Sequence, residues 1–169
     1  MDAIITLSQL YPAIFYSLVF FVSLMVGSFL NVVIYRLPIM MERSWQQEYQ
    51  SYFSEGAPTP HDKNSSASEE VFNLVKPDST CPSCGHKIRA WENVPVISYL
   101  FLKGKCAKCK VGISVRYPLV ELFTALACTF AAYQFGVTSQ ALWAVLFTYI
   151  LVALLFIDLD KMLLPDQLT

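Results

Sequence analysis

LFTALACTFAAYQFGVTSQALWAVLFTYILVALLFI, residues 122–157, carries no charged side chain over 36 positions, and its reading decides the fold. As one straight helix it would reach about 54 Å, far beyond the ~30 Å hydrocarbon core of a bilayer. It must therefore fold back. The polar cluster inside it is GVTSQ, residues 136–140, and a tight turn there divides the run into helices near 118–135 and 140–158. The pair reads as an antiparallel transmembrane hairpin.

A second uncharged run lies upstream, AIFYSLVFFVSLMVGSFLNVVIY, 23 positions from 13 to 35. That length suits one crossing with some tilt. The preceding MDAIITLSQLYP has no basic residue and the apolar part is long, which does not fit a signal peptide. Composition agrees, since 55% hydrophobic residues and a mean hydropathy of +0.46 exceed what a globular core of 169 residues requires. The expected fold is an α-helical polytopic membrane protein with three transmembrane helices and a small loop domain.

Orientation follows from the basic residues. Of twelve Lys and Arg, eleven lie between Arg36 and Arg116, and the twelfth is Lys161. The positive-inside rule puts loop 38–117 in the cytoplasm and the N-terminus outside. The expected organisation is residues 1–37 with the first helix, 38–117 as the cytoplasmic loop, and 118–169 as the hairpin. Asp158 then arrives at the cytoplasmic end of the third helix.

The loop has two characters. SEGAPTPHDKNSSASEE, residues 54–70, has no apolar residue larger than Ala and is expected to be flexible. MERSWQQEYQSYF before it suits a short interfacial helix. The later part carries Cys81-x-x-Cys84 and Cys106-x-x-Cys109, with 21 residues between the pairs. Zinc takes four thiolates at tetrahedral corners, and each C-x-x-C supplies two from one tight turn. Gly85 follows the first pair and Gly104 precedes the second, as tight turns need. WENVPVISYLF, β-branched and aromatic, is expected to form short strands in a zinc-ribbon-like module spanning 81–109. Two disulfides and a redox-active C-x-x-C are the alternatives; a reducing cytoplasm opposes the first, and the absence of a βαβ pattern opposes the second. His86 could replace a ligand, and Cys128 reads as a small core residue. Four protein ligands close a site, so the zinc is expected to be structural.

Asn31, Glu121 and Asp158 interrupt the apolar segments near their loop-side ends. Ionisable groups at such depth point to function, while snorkelling to the interface is the plain alternative, most of all for Glu121. Gly27 and Ser28 would let another helix approach closely. Arg36 suits either a headgroup anchor or a counter-ion for a buried carboxylate. Aspartyl proteolysis needs two carboxylates sharing a proton. Asp160 leaves the opposite face of a helix from Asp158, and Asp166 is about 12 Å further on, beyond the helix-breaking Pro165. Neither makes a dyad with Asp158.

GSFLNVVIYRLP (27–38), the C-x-x-C pairs framing WENVPVISYL, RYPLVEL (116–122) and FIDLDKMLLPD (156–166) together resemble the bacterial type IV prepilin peptidases. The resemblance covers nearly all of the chain from residue 18 apart from 54–70. It implies an inner-membrane aspartic endopeptidase that removes the leader of type IV prepilins and type II secretion pseudopilins. It also implies methylation of the new N-terminus with S-adenosylmethionine. Asp158 matches the first catalytic aspartate, and the second belongs to a later G-x-G-D motif. The six glycines stand at 27, 56, 85, 104, 112 and 136, so no G-x-G occurs. The expectation is a truncated chain, inactive by itself. Expected partners are the pilin substrates and the bilayer, with no nucleic acid. No residue is matched to the methyl-donor cofactor, and the role of Glu121 stays open. A non-catalytic membrane scaffold with a partner-binding zinc loop is the alternative function, and a membrane thiol oxidoreductase ranks behind it.

Overall fold

The computed structural model describes residues 11–54, 73–76 and 78–162. Three long helices carry it: α1 (Pro12–Ser54), α3 (Arg116–Phe135) and α4 (Ser139–Lys161). Between α1 and α3 lie a 3-10 turn (Ala90–Asn93) and the short helix α2 (Ile97–Phe101). All three long helices are long and apolar enough to cross a membrane.

The hairpin forms where the uncharged run allows it. Gly136 ends α3 at φ 62°, a left-handed conformation that costs glycine nothing. Thr138 caps α4, its hydroxyl oxygen accepting the Ala141 amide at 3.3 Å. At the far end Met162 closes α4 in the left-handed region, its amide reaching the Asp158 carbonyl at 2.8 Å.

Side-chain spacing divides each helix into two faces. On α3, Val120, Thr124, Ala125, Cys128 and Ala132 are buried, while Leu119, Phe123, Leu126, Phe130 and Tyr133 are exposed. The exposed set recurs every three or four residues and the buried set fills the opposite side, so one stripe packs inward and the other meets lipid. Leu30 and Ile34 of α1, Val120 of α3, and Val152, Ala153 and Ile157 of α4 form the shared core. Gly27 makes the α1–α3 seam tight: a Cβ there would stand 2.9 Å from the Glu121 Cα. The close approach expected of Gly27 is present. Ser23 and Tyr149 join α1 to α4 through a 2.8 Å hydroxyl–hydroxyl bond.

Two expectations need correction. The first helix does not end near residue 37; it runs through Pro38 to Ser54, so the expected interfacial segment is its continuation. Proline removes one helix hydrogen bond, yet Ile34 and Met41 are buried on either side of it and hold the helix on course. The second correction concerns WENVPVISYLF. Among the described residues there is no strand, only the isolated bridges Thr80–Lys87 and Lys105–Gly112. The segment between the knuckles is the 3-10 turn and α2, closed by local bonds such as Leu100 N–H to Val96 O at 3.1 Å. Pro95, which cannot donate to a ladder, sits in its middle. The segment 55–70 and Asp166 lie outside the described residues.

Candidate functional site

Two features mark the loop-side end of the bundle, a cysteine centre and the charged end of α4. The cysteine centre is built twice by the same local rule. Cys81 N–H bonds His86 O at 2.9 Å, and Gly85 N–H returns to Cys81 O at 2.9 Å. In the second knuckle Cys106 N–H bonds Val111 O at 2.8 Å, and Lys110 N–H returns to Cys106 O at 3.1 Å. The fourth residue after each leading cysteine is left-handed: Gly85 at φ 66° and Lys110 at φ 60°. Gly104 serves a separate need, because a Cβ there would stand 2.7 Å from the Tyr99 hydroxyl.

The knuckles bring four sulfurs together. The Sγ atoms of Cys81, Cys84, Cys106 and Cys109 all lie within 4.8 Å of one another, and Cys81 to Cys109 is 3.7 Å. A tetrahedron with metal–sulfur bonds of about 2.3 Å has sulfur edges near ~3.8 Å, so the spacing suits a bound metal ion. All four cysteines are free of disulfides, and neither C-x-x-C opens a helix as a redox motif does. Amides of Cys109 and Lys108 point at the Cys106 sulfur and hold its thiol down at about 6. At Cys109 the Val111 amide pulls the same way, but desolvation and the neighbouring sulfurs outweigh it and push the thiol up to about 11. His86 is not a fifth candidate, since its Nε2 meets Glu92 at 3.1 Å. The Arg89 amide, then the His86 contact, keep the Glu92 carboxyl below its usual range.

Glu121 joins this module to the membrane helices. Its Oε2 accepts the Val96 amide at 2.8 Å, and Val96 stands at φ 57°, a rare conformation for a β-branched residue. Asn31 donates to the Tyr117 carbonyl at 3.1 Å across the same α1–α3 seam. Arg36 is buried and donates to Asn73 O at 2.9 Å, tying the loop back to α1.

At the end of α4, Asp160 pairs with Arg116 of α3, and Lys161 meets Glu42 of α1 at 3.5 Å. Asp158 is exposed and has no side-chain hydrogen bond or ion pair among the described residues. The structure therefore joins Asn31 and Glu121 to one seam, and among the described residues Asp158 bonds neither of them. The Arg116–Asp160 pair was legible in principle: the two stand at nearly mirrored distances from the 136–138 turn. Nothing in the sequence signals the left-handed Val96 or its bond to Glu121. Cys128 is fully buried within α3, as expected of a core residue.

The family model described as Bacterial Peptidase A24 N-terminal domain matches residues 21–135. A protein of Aeromonas salmonicida (strain A449) named prepilin leader peptidase/N-methyltransferase is 54% identical over 169 residues, all of this chain and 56% of its own length. One of the same name from Pseudomonas putida is 49% identical over 158 residues, covering 93% of this chain and 51% of its own. Another, from Neisseria gonorrhoeae, is 47% identical over 146 residues, covering 86% and 49%. The chain thus spans about half the length of the curated relatives it matches. No solved structure matches it. The resemblance read from the four sequence blocks agrees with these findings.

Proposed function

This chain belongs to the family of the bacterial peptidase A24 N-terminal domain, and on that premise we propose that it forms part of a membrane aspartic endopeptidase. The substrates are type IV prepilins and type II secretion pseudopilins, cut at the cytoplasmic face of the inner membrane. One observation carries the assignment of Asp158. Its carboxylate is exposed and unpartnered among the described residues, whereas Asp160, two positions on, is held by Arg116. Aspartyl catalysis needs a carboxylate free to share a proton with a second one and to activate a water. An aspartate held in a salt bridge is occupied by its partner and is withdrawn from that exchange. No G-x-G occurs in the sequence, so these residues carry one half of the dyad.

The four thiols are assigned to zinc in a structural role. Their mutual distances support this, and a closed set of four ligands leaves no position for water. Cys81 and Cys84 of one knuckle and Cys106 and Cys109 of the other would hold the ion, which would cross-link the two when bound. The relatives' name includes an N-methyltransferase, and we propose the same second activity, with S-adenosylmethionine supplying the methyl group. No residue is assigned to that cofactor. Glu121 is better accounted for as the tie to Val96.

The test is leader cleavage by the full-length protein on a co-expressed prepilin. Asp158→Asn should abolish processing at normal expression, and Asp160→Asn should leave it largely intact. Normal processing by Asp158→Asn would sink the assignment.

A further inference from the structure

The helix α2 leaves a large apolar surface uncovered. Leu100 is 69% exposed and Phe101 is 84% exposed, with Ile97 beside them. Lys103, Lys105, Lys108 and Lys110 follow within nine residues of Phe101, all exposed. Such a patch on a water-facing loop would be a liability, so its depth decides what it is for.

The Glu121–Val96 bond sets that depth. α3 has 20 residues, about 30 Å of helix and close to one hydrocarbon thickness, so Arg116 marks one boundary. Glu121 lies five residues further in, about 7.5 Å deeper along the axis. Its carboxylate bonds the Val96 amide at 2.8 Å, and Val96 is the residue immediately before α2. The five residues of α2 add only about 7.5 Å, comparable with the interfacial layer of one leaflet. The helix therefore cannot leave that layer. Val115, just before α3, and Tyr117 and Leu119 in its first turn are exposed as well.

We propose that Ile97–Phe101 is an interfacial anchor: Leu100 and Phe101 enter the acyl–headgroup boundary, and Lys103, Lys105, Lys108 and Lys110 engage anionic headgroups. Aromatic and aliphatic side chains favour that boundary, and lysines beside it gain from negative lipid. The anchor holds the cysteine module against the membrane on the side where Asp158 ends α4. It rests on the reading that α3 and α4 cross a bilayer.

The test uses tryptophan fluorescence of the protein in vesicles. Replacing Trp45 and Trp91 by Phe leaves Trp143, exposed on α4, as the internal control. Phe101→Trp is then added, with metal content measured to establish that the module is intact. The expected result is that lipids brominated near the headgroup end of the acyl chain quench the added emission by half or more. Aqueous iodide should quench it little. With phosphatidylglycerol replaced by phosphatidylcholine, or with Lys103→Gln and Lys108→Gln, bromolipid quenching should fall about twofold. Quenching by iodide instead of bromolipid would overturn the anchor, and so would quenching by neither, which means that protein covers the face. Insertion that ignores lipid charge and the lysine variants would overturn the headgroup contact. If Trp143 itself escapes bromolipid, the membrane reading fails and takes the anchor with it.

Discussion

The Glu121 carboxylate accepts the Val96 amide at 2.8 Å, tying the cysteine module to the second turn of a membrane helix. Glu121→Gln keeps an oxygen acceptor there, and Glu121→Leu does not. The leucine variant leaves a left-handed Val96 with an unpaired amide and should lose about 1–3 kcal/mol. Hydrogen exchange at Val96 and thermal unfolding in detergent measure this. Equal behaviour of the two variants would mean that the bond holds nothing together.

Gly27 admits α3 because no Cβ stands between the backbones. Gly27→Ala would place one 2.9 Å from the Glu121 Cα, and backbone cannot swing away as a side-chain tip can. The expected cost is about 1–3 kcal/mol, from overpacking. Gly112→Ala meets nothing within 4 Å and serves as the control. Denaturant unfolding of the two variants should separate them clearly.

Arg116 and Asp160 fasten the loop-side end of α3 to that of α4. Both side chains are partly exposed, so the pair contributes no more than about 1 kcal/mol. Arg116→Asp puts two carboxylates together and should destabilise the hairpin, while adding Asp160→Arg should restore it. A double-mutant cycle on the melting temperature checks the coupling. Failure of the swapped pair to recover would assign the effect to packing.

Protons and metal compete for the same sulfurs, so metal retention has a pH signature. At neutral pH the Cys109 thiol, pushed up to about 11, must lose a proton on metal uptake, whereas Cys106, at about 6, is largely ionised already. Affinity should therefore fall as pH falls, about tenfold per pH unit for each proton displaced. Below about 6 the protonation of Cys106 steepens the fall by one proton. Competition with a chromophoric chelator across pH measures the slope; a flat profile would contradict the four-thiolate centre. Cys81→Ser with Cys84→Ser should abolish metal content on elemental analysis.

Hydrophobic length and charge placement determined the three long helices and the turn at Gly136, and the C-x-x-C spacing determined the four-cysteine set. Those features are local. An uncharged run longer than a bilayer has to turn, and a C-x-x-C has to make a knuckle. Tertiary structure decided the rest. WENVPVISYLF has the composition of a strand, but it has no partner strand. Pro95 breaks any ladder, and the Glu121 carboxylate takes the one amide that starts α2. Residues 1–37 are expected to hold the first helix, yet burial of Ile34 and Met41 carries α1 past Pro38. Asp158 and Asp160 are indistinguishable by residue type. Only the packing of α3 beside α4, which delivers Arg116 to one of them, separates a paired carboxylate from a free one.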